Sequence, residues 1–210
     1  MKYTDFNFLF PPRPDTAIMS AMLSYFEKRG WVAQFKKNGT CSIVAISPKK
    51  EIITMSRHGE PHKAWQITDY LKDELARIFT EKKWFVLVAE IMHSKGPTIK
   101  DTLYVHDMLV WKSDMMLAST FAERQKLLDG RLITNVEAQS HYVLDREGKL
   151  WYAKRFDKDF NKLFNSIKNP KIDEGLVLKD PEGKLRSCLT AADNSSWQVK
   201  CRHKSKGYAF

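Results

Sequence analysis

Apolar and polar positions along the chain follow two periods, and the switches between them outline the elements. Ile18, Met22, Tyr25 and Phe26 recur at helical spacing, which predicts a helix over residues 15–28 with Asp15 as N-cap and Gly30 as its stop. The stretch before it, Phe10-Pro-Pro-Arg-Pro14, reads as stiff and extended. From Trp31 the period becomes short and β-like. Strands are predicted over 31–35, 41–46 and 51–55, with Asn38-Gly39 as a strong hairpin signal between the first two. Residues 63–79 read as a helix with Trp65, Leu71, Leu75 and Ile78 inward. Residues 84–92 and 102–111 are almost wholly apolar and read as central strands. A short helix over 120–128 follows, then strands 142–144 and 150–153 around the turn Asp145-Arg-Glu-Gly148. The last elements are a helix over 156–167 and strands at 176–179 and 197–202. Locally linked strands with interspersed helices predict an α+β fold of antiparallel sheets, not regular βαβ winding.

Composition narrows the class. The chain has 210 residues, 43% of them hydrophobic, enough for a real core. Its longest apolar runs, such as Phe85-Val-Leu-Val-Ala89, are too short to span a bilayer, and Met1-Lys-Tyr-Thr-Asp5 is not a secretory signal. The expectation is a cytoplasmic protein without a membrane partner. Three cysteines, Cys41, Cys188 and Cys201, argue against a disulfide framework or a structural zinc site, and His58, His62, His93, His141 and His203 show no ligand spacing. Thirty-five Lys and Arg against 25 Asp and Glu give a net charge of +10, which favours an anionic partner, most often nucleic acid. The stretch from Lys200 to Lys206 is locally basic.

Several short motifs carry chemistry. Lys36-Lys-Asn-Gly39 sets a lysine at a strand end, where it can be held rigidly as a nucleophile, beside a glycine that lets backbone approach a phosphate. Ser56-Arg57-His58-Gly59 follows a strand. Val88-Ala89-Glu90 ends an apolar strand in a carboxylate, and Asp173-Glu174-Gly175 opens another. Lys200-Cys201-Arg202 sets two cations on one face of a late strand. In that order the groups suit phosphoryl transfer: a nucleophile attacks, carboxylates hold a metal, and cations clamp phosphate oxygens.

The order and contexts resemble the covalent nucleotidyltransferase superfamily of ATP-dependent DNA ligases, RNA ligases and mRNA capping enzymes. Lys36-Lys-Asn-Gly39 is similar to motif I, Ser56-Arg57-His58-Gly59 to motif Ia, Val88-Ala89-Glu90 to motif III and Tyr104-Val-His106-Asp107 to motif IIIa. Glu174-Gly175-Leu-Val-Leu-Lys179 is similar to motif IV, and Lys200-Cys201-Arg202 to motif V. Trp31-Val-Ala-Gln34 and the proline-rich segment resemble small phage-type polynucleotide ligases. The resemblance runs from about residue 8 to 205 and departs from the usual motifs at Asn38 (usually Asp), Cys41 (usually Arg), Ala89 (usually Gly), His106 (usually an aromatic) and Arg202 (usually Lys).

The resemblance implies a single ATP-grasp-like adenylation domain over residues 1–210. It would have two antiparallel sheets with flanking helices, an extended segment at 1–14, a basic tail at 203–210 and no OB-fold. It implies ATP as substrate, with AMP carried covalently on Lys36. Glu174 would hold a divalent metal, Mg²⁺ by preference, and Glu90 the ribose or a second metal. Arg57, Lys200 and Arg202 would hold phosphate, and His106 would stack on the base. Gln34 and Phe35 would contact adenine, and Asn38 and Gly39 would complete the nucleotide site. Lys37, Lys204 and Lys206 would meet the strand. The implied partner is a nicked duplex, DNA ahead of RNA. An RNA ligase is the alternative enzyme, with a GTP-using capping enzyme behind it, and a non-catalytic nucleic-acid-binding domain is the alternative of another class.

Overall fold

The structure, a computed structural model, describes residues 1–93, 98–133 and 136–203. Eleven strands, β1 Thr16–Ile18, β2 Val32–Lys37, β3 Thr40–Ile46, β4 Ile52–Ser56, β5 Phe85–Met92, β6 Thr102–Trp111, β7 Asp114–Met115, β8 His141–Val143, β9 Leu150–Ala153, β10 Asp173–Lys179 and β11 Gln198–Arg202, make two sheets. The larger has the order β4-β3-β5-β6-β9-β8, with β7 paired to β6; the smaller is β1-β11-β10-β2. Four α-helices accompany them: α1 Leu23–Lys28, α2 Asp69–Ile78, α3 Phe121–Leu132 and α4 Phe160–Asn165. The fold is therefore mixed α and β on two sheets, as the alternation of periods predicts. The sheets are not purely antiparallel, because β1 runs parallel to β11 and β9 parallel to β6.

Each sheet buries an apolar face. On one side of the large sheet Val44, Leu87, Ala89 and Val105 pack against Leu71 and Leu75 of α2 and Leu128 and Leu132 of α3. On its other side Ile43, Val86, Val88 and Leu109 meet Tyr3 and Leu9 of the N-terminal segment. The small sheet packs Ala33, Phe35, Leu176, Leu178 and Val199 against Leu23, Phe160 and Phe164. Thr68 caps α2 by accepting from the Leu71 N–H, and Thr120 and Glu123 form a reciprocal capping box on α3.

Four expectations are corrected. Residues 15–28 are not one helix. Thr16–Ile18 extends as β1 beside β11, a single 3-10 turn follows at Ser20–Met22, and only Leu23–Lys28 is α-helical. Met22 and Tyr25, expected on the inward face, are exposed. Residues 63–67 are not helical: α2 begins at Asp69 with Thr68 as its cap, and α4 starts at Phe160, after Asp159 in the left-handed region at φ 61°. Asn38-Gly39 closes no hairpin. β2 pairs with β10 and β3 with β4 and β5, so the motif is the crossover between the two sheets. Asn38 N–H donates to the Ile172 carbonyl, and a Cβ on Gly39 would lie 2.7 Å from the Ile91 carbonyl oxygen. The glycine thus serves close passage against β5 instead of a tight turn.

Candidate active site

The crossover places a polar face of the small sheet across from the large sheet, and the space between them is a cleft of about 490 Å³. Strand alternation builds its floor. Register sets Lys36, Gly175 and Arg202 in one row, Gln34, Val177 and Lys200 in the next, and Val32, Lys179 and Gln198 in the third. The intervening residues, such as Phe35, Leu176 and Cys201, face the apolar core behind. The facing wall carries Cys41 and Glu90, cross-strand partners on β3 and β5, with Tyr104 and His106 of β6 and Arg57 from the turn after β4. Arg13, Pro14 and Asp15 stand at the rim.

The Lys36 row holds the charge. β10 carries an irregularity between Asp173 and Gly175, so Glu174 is the extra residue of a bulge. That aims its carboxylate at the Lys36 ammonium, with which it forms an ion pair. Arg202 Nε lies 3.2 Å from the other carboxylate oxygen. Gly175 permits this arrangement. Its φ is 155°, and a Cβ there would stand 1.9 Å from the Cys201 carbonyl oxygen. Lys200 Nζ donates to the carbonyls of Pro14 (3.0 Å) and Asp15 (3.2 Å), which holds the proline-rich segment at the rim. Burial, then the Arg202 and Lys36 charges, lower its pKa. Burial and the nearby Glu90 push the Cys41 thiol upward, so it stands as a neutral thiol.

The other end of the cleft is less charged. Gln34 is 2% exposed, and its Nε2 has no hydrogen-bond partner among the described residues. The Tyr104 hydroxyl donates to the Phe35 carbonyl at 3.1 Å. Burial, followed by the charge of Lys179, pushes His106 down to about 3, which leaves its ring neutral. Burial likewise pushes Lys179 down to about 8 against the opposing pull of Asp107. Asp107 is itself paired with Arg124, both side chains at 0% exposure, through hydrogen bonds of 2.9 and 3.0 Å. That pair ties β6 to α3 behind the His106 position.

Gln34, Lys36, Arg57, Glu90, His106, Lys200 and Arg202 therefore meet around one cleft, with Glu174 bonded to Lys36; Phe35 borders the cleft but packs in the core behind the sheet. Lys37 is corrected. Its side chain is 1% exposed and pairs with Asp173 at 2.6 Å, bonds Ser140 Oγ at 2.8 Å, and lies over the rings of Tyr104 and Trp151. Successive strand residues point oppositely, so the lysine beside Lys36 faces the interior and is closed to a nucleic-acid backbone. Asn38 is also turned away, its amide donating to the Lys171 carbonyl at 3.3 Å. Gly39 backs the Glu90 carboxylate without lining the cleft. Lys204 and Lys206 lie outside the described residues. Lys179, Gln198, Tyr104, Arg13 and Asp15 line the cleft without having been singled out as site residues. Lys179 was within reach of sequence reasoning, since it shares strand parity with Gly175 and Val177.

This architecture is the fold of polynucleotide ligase domains. The chain superimposes over 94% of its length on a mycobacterial DNA ligase D complexed with ATP and MES, with a TM-score of 0.64 and 18% identity. It likewise covers 94% of itself on the ligase domain of LigD from M. tuberculosis, at 0.62 and 16%. A structure from a study of DNA binding by Lig E DNA ligases matches 95% of the chain at 0.51 and 11%. The chain spans 62% and 61% of the two LigD structures. By sequence, no protein-family model and no curated protein matches it.

Proposed function

We propose that the cleft is the adenylation site of an ATP-dependent polynucleotide ligase that seals nicks, DNA ahead of RNA. One observation carries the reading: Lys36 lies on the floor of a nucleotide-sized cleft, in a row with Arg202 and beside Lys200, with Glu174 bonded to its amine. Once deprotonated, the Lys36 amine attacks the α-phosphorus of ATP. The N–P bond forms, the bridging α–β P–O bond breaks, pyrophosphate leaves with that electron pair, and the nitrogen loses its remaining extra proton. Lys200 and Arg202 hold phosphate oxygens as negative charge builds on them. AMP then passes from Lys36 to the 5′-phosphate of a nick, and the 3′-hydroxyl displaces it.

The residues present suit a divalent cation. Glu90 lines the cleft from the large sheet and Glu174, on the small sheet, is bonded to the cleft-lining Lys36; Mg²⁺ is commonly held by one or two carboxylates together with substrate phosphates. When bound, the ion neutralises phosphate charge. Arg57, which the resemblance would set on phosphate, is exposed where it lines the cleft, and with exposed Arg13 at the rim and Lys204 and Lys206 after Arg202 in sequence it also meets the strand backbone.

Incubation with α-labelled ATP and Mg²⁺ tests the reading. Wild type becomes covalently labelled and Lys36→Ala does not; a folded wild type that takes no label refutes it. Nicked DNA, nicked RNA and hybrid duplexes then sort the strand preference.

A further inference from the structure

We propose that the base end of the cleft accepts 6-oxopurine nucleotides, GTP and ITP, alongside ATP, and that the Gln34 side-chain amide is the group that reads both. The inference rests on the adenylation reading for the chemistry and on the cleft alone for binding.

Gln34 carries the argument. It is 2% exposed, lines the cleft, and leaves Nε2 without a partner among the described residues. A buried amide donor left unbonded is unfavourable, and an acceptor on a ligand in the cleft would satisfy it. On the same strand face, one diagonal step along, Lys179 adds a second donor. Its Nζ sits 4.6 Å from the Phe121 ring centroid and reaches the His106 carbonyl only at 3.5 Å, too long for a strong bond. The cleft-lining carboxylates are elsewhere. Asp15 pairs with Arg13 at the rim at 2.7 Å, and Glu90 lies on the far wall beside Gly39.

Purine chemistry turns this asymmetry into a specificity. Adenine offers a donor at N6 beside an acceptor at N1. A 6-oxopurine offers an acceptor at O6 beside a donor at N1. A carboxylate at position 34 would only accept, and would face O6 with a repulsive lone pair. An amide has one donor end and one acceptor end, so a half-turn about its last torsion matches either edge. The ammonium of Lys179 supplies a donor suited to a carbonyl oxygen. The neutral His106 ring offers a flat face to any purine. The bond changes on Lys36 are those of adenylyl transfer with guanylate in place of adenylate.

Equilibrium binding of ATP, GTP and ITP is measured by calorimetry on Lys36→Ala, which blocks covalent capture, and labelling by α-labelled ATP and GTP is measured on wild type. GTP is expected to bind within tenfold of ATP, and Gln34→Glu to weaken GTP at least tenfold while holding ATP within threefold. GTP more than tenfold weaker than ATP overturns the proposal, as does a folded Gln34→Glu that shifts both equally. Gln34→Met, uncharged and of similar length, guards against misfolding of the glutamate variant. It should weaken both nucleotides at least threefold, and unchanged GTP affinity in it overturns the proposal. Comparable ATP and GTP binding without any covalent label would support the base inference and remove the ligase reading. Label and binding from ATP alone would do the reverse.

Discussion

Gly175→Ala isolates the feature on which the Lys36–Glu174 geometry depends. The added Cβ would fall 1.9 Å from the Cys201 carbonyl oxygen and 2.8 Å from the Arg202 Cα, both backbone atoms of β11. Side-chain rotation cannot relieve that overlap. For the carbon to reach van der Waals distance, β11 must retreat by roughly 1.5 Å. The retreat opens the Gly175–Arg202 rung and carries Arg202 away from Glu174. A backbone held at φ 155° adds strain of about 1–3 kcal/mol for a residue other than glycine. A 1 Å misplacement of reacting groups can lower a rate by about 10²-fold, so single-turnover labelling of Lys36 should fall by about that factor. The assay is rapid-quench labelling with α-labelled ATP, paired with a thermal melt. A chain of this size loses roughly 2–4 °C per kcal/mol. Gly130→Ala is the control. It lies in α3 with nothing within 4 Å of a Cβ and should raise stability by about 0.5–1 kcal/mol with no change in rate. A Gly175→Ala protein that labels within threefold of wild type would refute the claim that this glycine aims Glu174.

Three further outcomes follow from the buried charges. Arg124→Met strands the Asp107 carboxylate at 0% exposure and should lower stability by about 3–5 kcal/mol in urea unfolding, while the double change Asp107→Leu/Arg124→Met recovers most of the loss; equal loss in both would sink the argument. Lys37→Met should leave the salt dependence of nucleic-acid binding unchanged, because its ammonium is sequestered, whereas Arg57→Ala at the rim should reduce the log–log salt slope by about 1. Lys179 has a folded pKa of about 8 against an ordinary 10.5. Between those values the unfolded chain keeps a proton that the folded chain has released, so stability rises with pH across this window, by about 3 kcal/mol from this group. Below pH 8 both states are protonated and the penalty is fully present. Wild type should gain that amount over Lys179→Met between pH 7 and 10.5, and parallel pH curves would count against a buried cationic lysine.

Much of the cleft was legible from strand parity. Gln34 and Lys36, and Lys200 and Arg202, are separated by two, and each pair does share a face. The central strands of the large sheet were legible because both their faces are buried, which leaves long apolar runs such as Phe85–Met92. Local signals failed where a distant partner decides the outcome. Asn-Gly favours a two-residue hairpin, yet β2 and β3 find their partners in different sheets, a choice made by strands much further along the chain, β10 for β2 and β5 for β3. β1 reads as the first turn of a helix because Ile18 keeps the helical spacing. It is drawn out by pairing with β11 and by the grip of Lys200 on the Pro14 and Asp15 carbonyls. Lys37 reads as surface charge because no local feature announces Asp173, its partner across β10.

The two adjacent lysines suggest why the crossover tolerates a buried cation. Lys36 faces the cleft and binds Glu174; Lys37 faces the interior and binds Asp173. The four residues form two consecutive ion pairs on opposite sides of one strand pair, at the point where β10 carries its extra residue. A bulge left to itself can slip by one residue, and such a slip inverts which side chain faces which side. A slip that brought Asp173 to the cleft beside Glu174 would set Ile172 against Lys37 and leave that lysine without its carboxylate among Tyr104 and Trp151. Burial already lowers the Lys37 pKa and Asp173 opposes that change, so losing the partner is strongly unfavourable. The interior pair therefore acts as a register lock for the exterior one. A slipped strand would cost the buried lysine its partner, so the interior pair favours the register in which Glu174 meets Lys36, the residue proposed to carry the chemistry.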